Sequence, residues 1–185
     1  MLKQKLKKAK MNNVYIGIGS NVGERLTNIR KTIEELENNS EISNIKISSI
    51  YETKPYGNIE QNNFLNAVIY FETSFELDEL LSFTKSIEKK IGRIKRENWG
   101  PREIDLDILL FNDLQYFDKN IRIPHRDLLN RDFVLVPLLE INNDLLHPES
   151  KKELSFYLTN LTEKYIISKF KFSNNFLNEF SSISI

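Results

Sequence analysis

The sequence predicts an α/β (α+β) protein in which helices pack on one antiparallel sheet. Two observations support this prediction: short runs of β-branched and aromatic residues alternate with two amphipathic helical stripes, and turn-forming residues separate them. The 185 residues suffice for one domain with a substantial core.

The first half of the chain predicts a strand, a helix and a second strand. Residues 14–19 form a β-like run that ends in the turn sequence at 20–23. The helix is indicated by an apolar stripe of Leu26, Ile29, Ile33 and Leu36. Residues 38–40 end this helix, and residues 45–51 alternate as a strand does.

The second half predicts a strand, a helix and a strand. Residues 64–72 are rich in aromatic and β-branched side chains. A second helix begins near Ser74, a suitable N-cap, and ends at Gly92. Residues 104–111 form the fourth strand. The resulting order, β-α-β-β-α-β, is that of the ferredoxin-like fold.

Additional elements and two appendages complete the predicted domain organisation. Residues 131–141 predict a third helix that contains Pro137. We expect a Lys-rich N-terminal extension at 1–13, a domain at 14–161, and a C-terminal tail of unknown role at 162–185.

Composition excludes several classes of protein. Lys+Arg and Asp+Glu both number 26, so the net charge of zero disfavours a nucleic-acid-binding surface. The absence of Cys excludes disulfides, thiolate metal sites and a cysteine nucleophile. No apolar stretch approaches the length of about 20 residues that spans a membrane. We therefore expect a cytoplasmic protein without nucleic-acid or membrane partners.

The most informative segment is WGPREIDLDILLF at 99–111. Asp105 and Asp107 lie two residues apart on a strand and therefore share a face. The opposite, buried face is predicted to hold Ile104, Leu106, Ile108 and Leu110. Paired carboxylates repel each other unless a cation lies between them, and Mg²⁺ favours such a pair together with substrate phosphates. A solvated polar sheet face is the alternative.

A run of basic residues precedes this strand. It consists of Lys89, Lys90, Arg93, Lys95, Arg96 and Arg102. Such a run is usually a solvated face, but cations beside paired carboxylates are also the components of phosphoryl transfer. We expect the loop at 93–102 to close over a substrate.

Other signals are weaker. Gly17, Gly19 and Gly23 resemble a dinucleotide-binding fingerprint with one residue too many, and a tight strand-to-helix turn explains them. His125 could reach a phosphate or serve only in packing. Phe64 and Asn66 share a strand face and suit a flat heteroaromatic ring, although ordinary core is the alternative for Phe64.

Six segments, in this order and spacing, resemble the 6-hydroxymethyl-7,8-dihydropterin pyrophosphokinases of folate biosynthesis. They are YIGIGSNVGER, YETKPYG, FLNAVIYFETS, IEKKIGR, WGPREIDLDILLF and IPHRDLLNRDFVLVPLLEI. The resemblance covers residues 14–161. It implies a ferredoxin-like fold and transfer of diphosphate from ATP to the pterin hydroxymethyl group, with release of AMP and with two Mg²⁺ ions. The partners are then ATP and the pterin, and we expect a monomer.

The resemblance also implies roles for individual residues. The catalytic group is Arg93, Arg102, Asp105, Asp107 and His125, with both aspartates as Mg²⁺ ligands. The ATP-binding group is Glu88, Arg93, Lys95, Trp99, Arg102, Ile108, His125 and Arg131. The pterin-binding group is Thr53, Pro55, Tyr56, Phe64, Asn66 and Phe133. Lys95 stands where arginine is usual, so Arg96 is the alternative candidate for that role.

Two rival functions remain open. One is a non-catalytic ferredoxin-like module that binds a small metabolite or RNA, although RNA binding favours a basic domain with exposed aromatic residues. The other is a nucleotidyl transferase or cyclase, which also uses paired strand carboxylates and two metals. Phe64, Asn66 and Phe133 discriminate, because that chemistry needs no aromatic sandwich for a second ring.

Overall fold

The order of helices and strands in the structure confirms the predicted fold class. The structure, a computed structural model, describes residues 10–57, 60–94, 96 and 100–170. Its strands are β1 (Asn12–Ser20), β2 (Ile42–Ile47), β3 (Tyr51–Thr53), β4 (Phe64–Thr73), β5 (Asp105–Phe111), β6 (Tyr116–Phe117), β7 (Arg122–Ile123) and β8 (Ile166–Lys169). Its helices are α1 (Arg25–Glu37), α2 (Leu77–Ile91), α3 (Asp132–Ile141) and α4 (Leu154–Thr159).

One antiparallel sheet organises these elements. Its strand order is β5-β1-β4-β3-β8, and β2 also pairs with β4. The second strand predicted at 45–51 is therefore two strands, β2 and β3, on the same partner. Ser48 lies at the break, where its hydroxyl oxygen accepts a hydrogen bond of 2.9 Å from the Val68 amide. A side chain thus replaces one backbone pairing, and the strand is interrupted there.

Helices cover both faces of the sheet. On one face, α1 and α2 bury an apolar cluster that includes Ile29, Ile33, Leu80, Ile87, Leu106 and Ile108. On the other face, α3 and α4 bury a second cluster that includes Leu109, Leu110, Leu135, Leu138 and Leu154. Asp105 and Asp107 belong to the face of the α3 and α4 cluster, at the end of the sheet that these helices leave open.

The predicted alternation along β5 holds for Ile104, Leu106 and Ile108 but is wrong for Leu110. The pairing of β1 with β5 shifts register between Tyr15 and Ile16, which leaves one extra residue on β5. Such a bulge rotates the side chains that follow it, so Leu110 packs against the α3 and α4 cluster instead.

The fold extends beyond both predicted domain boundaries. β1 begins at Asn12, and β8 pairs with β3 at the sheet edge, well past residue 161. Helix α2 begins later than predicted, because Glu76 is its N-cap and its amide donates to the Glu79 carboxylate at 2.8 Å. Gly92 ends α2 at φ 100°, as predicted. In the described part of the chain, no helix has the length and apolarity to cross a membrane.

The core on the α1 and α2 side should set the stability of the fold. Leu106 is only 2% exposed, and Leu106→Ala should lower the free energy of unfolding by about 2–5 kcal/mol because it leaves a cavity. Urea denaturation measures this cost. Phe117→Ala is the control, since Phe117 is 77% exposed and should cost under about 0.5 kcal/mol. Equal costs for both variants would contradict the assignment of Leu106 to the core.

Candidate active site

A cleft of about 520 Å³ lies on the α3 side of the sheet and collects most of the predicted site residues. Those that line it are Thr53, Tyr56, Phe64, Asn66, Arg93, Arg102, Asp105, Asp107, His125, Arg131 and Phe133. They come from four strands or the loops beside them, from the segment before α3, and from α3 itself. The cleft has a charged half around β5 and an aromatic and amide half around β4 and α3.

Two glycines of β1 form the floor of the cleft. Gly17 pairs with Asp107 of β5, and Gly19 lies between Asp105 of β5 and Asn66 of β4. A Cβ atom at Gly19 would lie 2.7 Å from Asn66 Oδ1, which is too close for any real contact. Both glycines lie inside β1, in agreement with the strand predicted at 14–19, so the strand-to-helix turn explains only Gly23, at φ 65°. Their spacing of two on a strand is the signal that places them on one face.

Asp105 is held between two arginines. Its Oδ1 lies 2.7 Å from Arg93 Nη1, and its Oδ2 lies 2.5 Å from Arg102 Nη1. Arg93 is also ion-paired with Glu88, whose buried Oε1 accepts a hydrogen bond of 2.9 Å from the Leu106 amide. Glu88, a predicted ATP-binding residue, thus anchors both Arg93 and β5, and its contact with ATP stays a prediction.

Asp107 has a different environment from Asp105. Its nearest side-chain partners are the His125 ring, through Nε2, and the Arg131 guanidinium, through Nη1, each 3.9 Å from Oδ2. Burial at the base of the cleft and the charge of Asp105 raise the pKa of Asp107 above its ordinary value. The side chain nevertheless keeps 37% of its accessible area, so this carboxylate faces the open cleft.

His125 is oriented by its own turn. Its Nδ1 accepts a hydrogen bond of 3.2 Å from the Asp127 amide, so the neutral ring carries its proton on Nε2, toward Asp107. Burial and the charge of Arg131 lower the pKa of His125 to about 4. The ring is therefore a neutral hydrogen-bond donor at neutral pH. Arg131 forms an ion pair with Asp127, whose Oδ2 lies 2.9 Å from Arg131 Nη2.

The other half of the cleft carries aromatic rings and an amide. Phe64 and Asn66 share a face of β4, as predicted, and Asn66 donates a hydrogen bond of 2.7 Å to Thr53 Oγ1. Tyr56 and Phe133 meet at 6.3 Å between ring centroids, and Arg131 lies 4.5 Å from the Tyr56 ring centroid. An electron-rich wall thus continues from the cations of the charged half.

Some predicted residues lie away from the cleft lining. Ile108 is 4% exposed and packs in the α1 and α2 core, and Pro55 is half-buried beside the cleft. Lys95 and Trp99 lie outside the described residues. Arg96, the alternative to Lys95, is bound to Glu103 by two hydrogen bonds of 2.6 and 2.9 Å. This pairing lowers the pKa of Glu103 to about 2.

The donor set of the cleft suits Mg²⁺. Among residues 10–57, 60–94, 96 and 100–170, no cluster of three or more acidic or histidine side chains forms a metal site made by protein alone. Mg²⁺ commonly binds one or two carboxylates and completes its octahedron with water and substrate phosphate oxygens. Asp105 and Asp107, on one face of β5, provide that pair.

Paired carboxylates, clustered arginines and an aromatic wall in one cleft are typical of a transferase that moves a phosphoryl group from a nucleotide to a flat acceptor. The model of the 7,8-dihydro-6-hydroxymethylpterin-pyrophosphokinase (HPPK) family matches residues 15–143, and the chain belongs to this family. This membership decides against the RNA-binding module and the nucleotidyl transferase as alternatives.

Relatives and solved structures agree with this assignment. The chain is 49% identical over 144 residues to an Aquifex aeolicus protein and 44% identical over 132 residues to a Bacillus subtilis protein. Both are named 2-amino-4-hydroxy-6-hydroxymethyldihydropteridine pyrophosphokinase, and the matches cover 78% and 71% of this chain and 89% and 79% of those proteins. Wild-type HPPK-DHPS from Plasmodium falciparum with pteroate has the same fold (TM-score 0.65, 16% identity), over 81% of this chain and 44% of that one.

The buried role of Glu88 can be measured. Glu88→Gln should lower the free energy of unfolding by about 1–3 kcal/mol, because a buried, charge-assisted hydrogen bond to the Leu106 amide is weakened and Arg93 loses a partner. The matched control is Lys85→Ala, which removes an exposed partner of the same carboxylate and should cost under about 1 kcal/mol. Urea denaturation compares them, and a cost for Glu88→Gln no larger than the control would contradict the anchoring role.

Proposed function

We propose that this chain transfers the terminal diphosphate of ATP to the hydroxymethyl group of 6-hydroxymethyl-7,8-dihydropterin and releases AMP, a step of folate biosynthesis. The observation that carries this proposal is one cleft with a cationic half for phosphates and an aromatic half for a ring. The direct test measures AMP release from ATP and Mg²⁺ with and without the hydroxymethyl-dihydropterin. AMP release that does not depend on the pterin would overturn the proposal.

In the charged half, we assign the polyphosphate to Arg93, Arg102 and Arg131. The Arg102 backbone is fixed to Asn21, whose Oδ1 accepts from the Arg102 amide at 2.8 Å. Its guanidinium is positioned by Asp105, the first residue of β5. The neutral His125 ring would donate its Nε2 proton to a phosphate oxygen. Trp99 and Lys95 remain predicted nucleotide contacts, as does Ile108.

Asp105 and Asp107 would hold Mg²⁺, and we propose two ions. Bound Mg²⁺ supplies charge neutralisation on the diphosphate oxygens. The protein contributes the arrangement of the two carboxylates, which the buried side chains of β5 fix. The arginines that now pair with Asp105 carry the charge that polyphosphate requires, so ligand binding would exchange one set of anionic partners for another.

In the aromatic half, we assign the pterin ring to the space bounded by Phe64 and Phe133. Stacking against aromatic side chains is worth about 1–3 kcal/mol for a nucleobase, which is a comparable flat ring. Asn66 and Thr53 present amide and hydroxyl groups at the ring edge, while Pro55 and Tyr56 belong to the adjoining loop. We propose that the chain acts as a monomer, and we place the reaction in the cytoplasm.

The carboxylate that faces the cleft should be required for activity and not for folding. Asp107→Asn should lower kcat by about two orders of magnitude or more, because a metal ligand is lost. The free energy of unfolding should not fall, since the substitution removes the charge repulsion between Asp107 and Asp105 and the nearest partners of Asp107 lie 3.9 Å away. Steady-state AMP release at saturating Mg²⁺ and urea denaturation measure the two effects.

Asp113→Asn is the matched control, because Asp113 lies in the exposed turn just after β5 and its charge is equally removed. It should leave kcat unchanged. Asp107→Asn with kcat within a few-fold of the wild type would contradict the assignment of Asp107 as a metal ligand.

The glycine floor gives a second pair of variants. A Cβ atom at Gly19 would displace the Asn66 amide, so Gly19→Ala should weaken pterin binding by about 1–3 kcal/mol through lost hydrogen bonds. Gly17→Ala should have a smaller effect, because its Cβ would meet Leu109 at an ordinary 3.5 Å. Calorimetric titration with the dihydropterin compares the two. Equal losses of pterin affinity in both variants would show that Asn66 does not hydrogen-bond to the pterin ring.

A further inference from the structure

The segment predicted as a tail places an aromatic ring, that of Tyr165, against two rings that line the cleft. Tyr165 precedes β8 and lies beyond the part of the chain that the family model matches. Its ring centroid is 5.2 Å from that of Tyr56 and 5.9 Å from that of Phe133, the latter in an edge-on arrangement at 87°. Tyr56 and Phe133 both line the cleft, whereas Tyr165 contacts both rings without belonging to the lining.

The backbone of Tyr165 is fixed on two sides. Its amide donates to both carboxylate oxygens of Asp132, at 3.1 and 3.0 Å, and the Ile166 amide donates to the same group at 3.0 Å. Asp132 is 4% exposed and begins α3 immediately before Phe133. The Tyr165 carbonyl accepts a hydrogen bond of 2.9 Å from the backbone amide of Lys54, in the loop that also carries Tyr56.

These contacts connect two cleft-lining segments that lie far apart along the chain. Tyr56 belongs to the loop after β3, and Phe133 belongs to the first turn of α3. The two ring centroids lie 6.3 Å apart in an edge contact, so each ring is closer to the Tyr165 ring than to the other. Edge-on aromatic pairs have a preferred geometry and therefore restrict how a ring can tilt.

We propose that Tyr165 is a positioning residue for the pterin site, in that its ring holds Phe133 and Tyr56 at the tilt that receives the substrate ring. This inference rests on the proposed function and deepens it. The Tyr165 hydroxyl donates a hydrogen bond to the Glu163 carboxylate, and this bond raises the pKa of Tyr165 to about 12. The ring, and not the hydroxyl, performs the positioning.

The test compares Tyr165→Ala, Tyr165→Phe and Tyr157→Ala in the full chain. Tyr157 is the matched control because its ring packs on Phe156 and His147, away from the cleft lining. Calorimetry measures the Kd of the dihydropterin in the presence of Mg²⁺ and a non-hydrolysable ATP analogue, and the Kd of that analogue alone. Steady-state AMP release gives KM for the pterin and kcat.

Tyr165→Ala should raise the Kd and KM of the pterin about tenfold, equivalent to about 1.4 kcal/mol. The analogue Kd and kcat at saturating pterin should stay within about threefold, a change of under about 0.7 kcal/mol. Tyr165→Phe should match the wild type, and Tyr157→Ala should leave both affinities unchanged. Should Tyr165→Ala fail to fold, Tyr165→Leu keeps the bulk of the residue without the aromatic edge and should show the same selective loss.

Three results would overturn this inference while the wild type remains active. They are an unchanged pterin Kd in Tyr165→Ala, an equal loss of affinity for both ligands, and a defect in Tyr165→Phe as large as that in Tyr165→Ala. Failure of the wild type to release AMP in a pterin-dependent manner would instead overturn the proposed function, so the two failures are distinguishable.

Discussion

The alternation of side chains along β5 is the constraint on which the rest of the site depends. Leu106 and Ile108 are buried against α1 and α2, so the side chains between them must face the opposite side of the sheet. A shift of one residue would bury Asp105 and Asp107 in an apolar core, at a cost that no nearby cation could offset. The same apolar contacts that stabilise the fold therefore fix the direction of both carboxylates.

Charge pairing explains how a neutral chain maintains a strongly charged cleft. Arg93 is shared by Glu88 and Asp105, and Arg102 pairs with the other oxygen of Asp105. Each cation is thus partly neutralised in the free protein, and the ion pairs restrict the positions of both arginines before a ligand binds. The exchange of carboxylates for phosphate oxygens replaces one charge-assisted contact with another, so binding requires little additional ordering of these side chains.

Sequence periodicity was sufficient to predict β5, its carboxylate pair, and the shared face of Phe64 and Asn66, because a strand repeats every two residues regardless of its neighbours. It could not predict features that depend on pairing between strands. The bulge that turns Leu110 depends on the register of β1 against β5, and the floor role of Gly19 depends on Asn66 of the adjacent strand. The helical pattern is compatible with Glu88 as a ligand contact and with Glu88 as a buried hydrogen-bond partner, so periodicity could not distinguish these two roles.

The two halves of the cleft differ in how far apart their residues lie along the chain. The charged half is built mainly from α2 and β5, which are close in sequence and joined by Glu88. The aromatic half joins Tyr56, Phe133 and Tyr165, which only the complete fold brings together. The side chains of the charged half are positioned mainly by local structure. The rings of the aromatic half also depend on the pairing of β8 with β3 and on the hydrogen bond from Ile166, the first residue of β8, to Asp132. The segment that contains Tyr165 lies outside the matched family region, and it nevertheless contacts both Tyr56 and Phe133, which line the cleft.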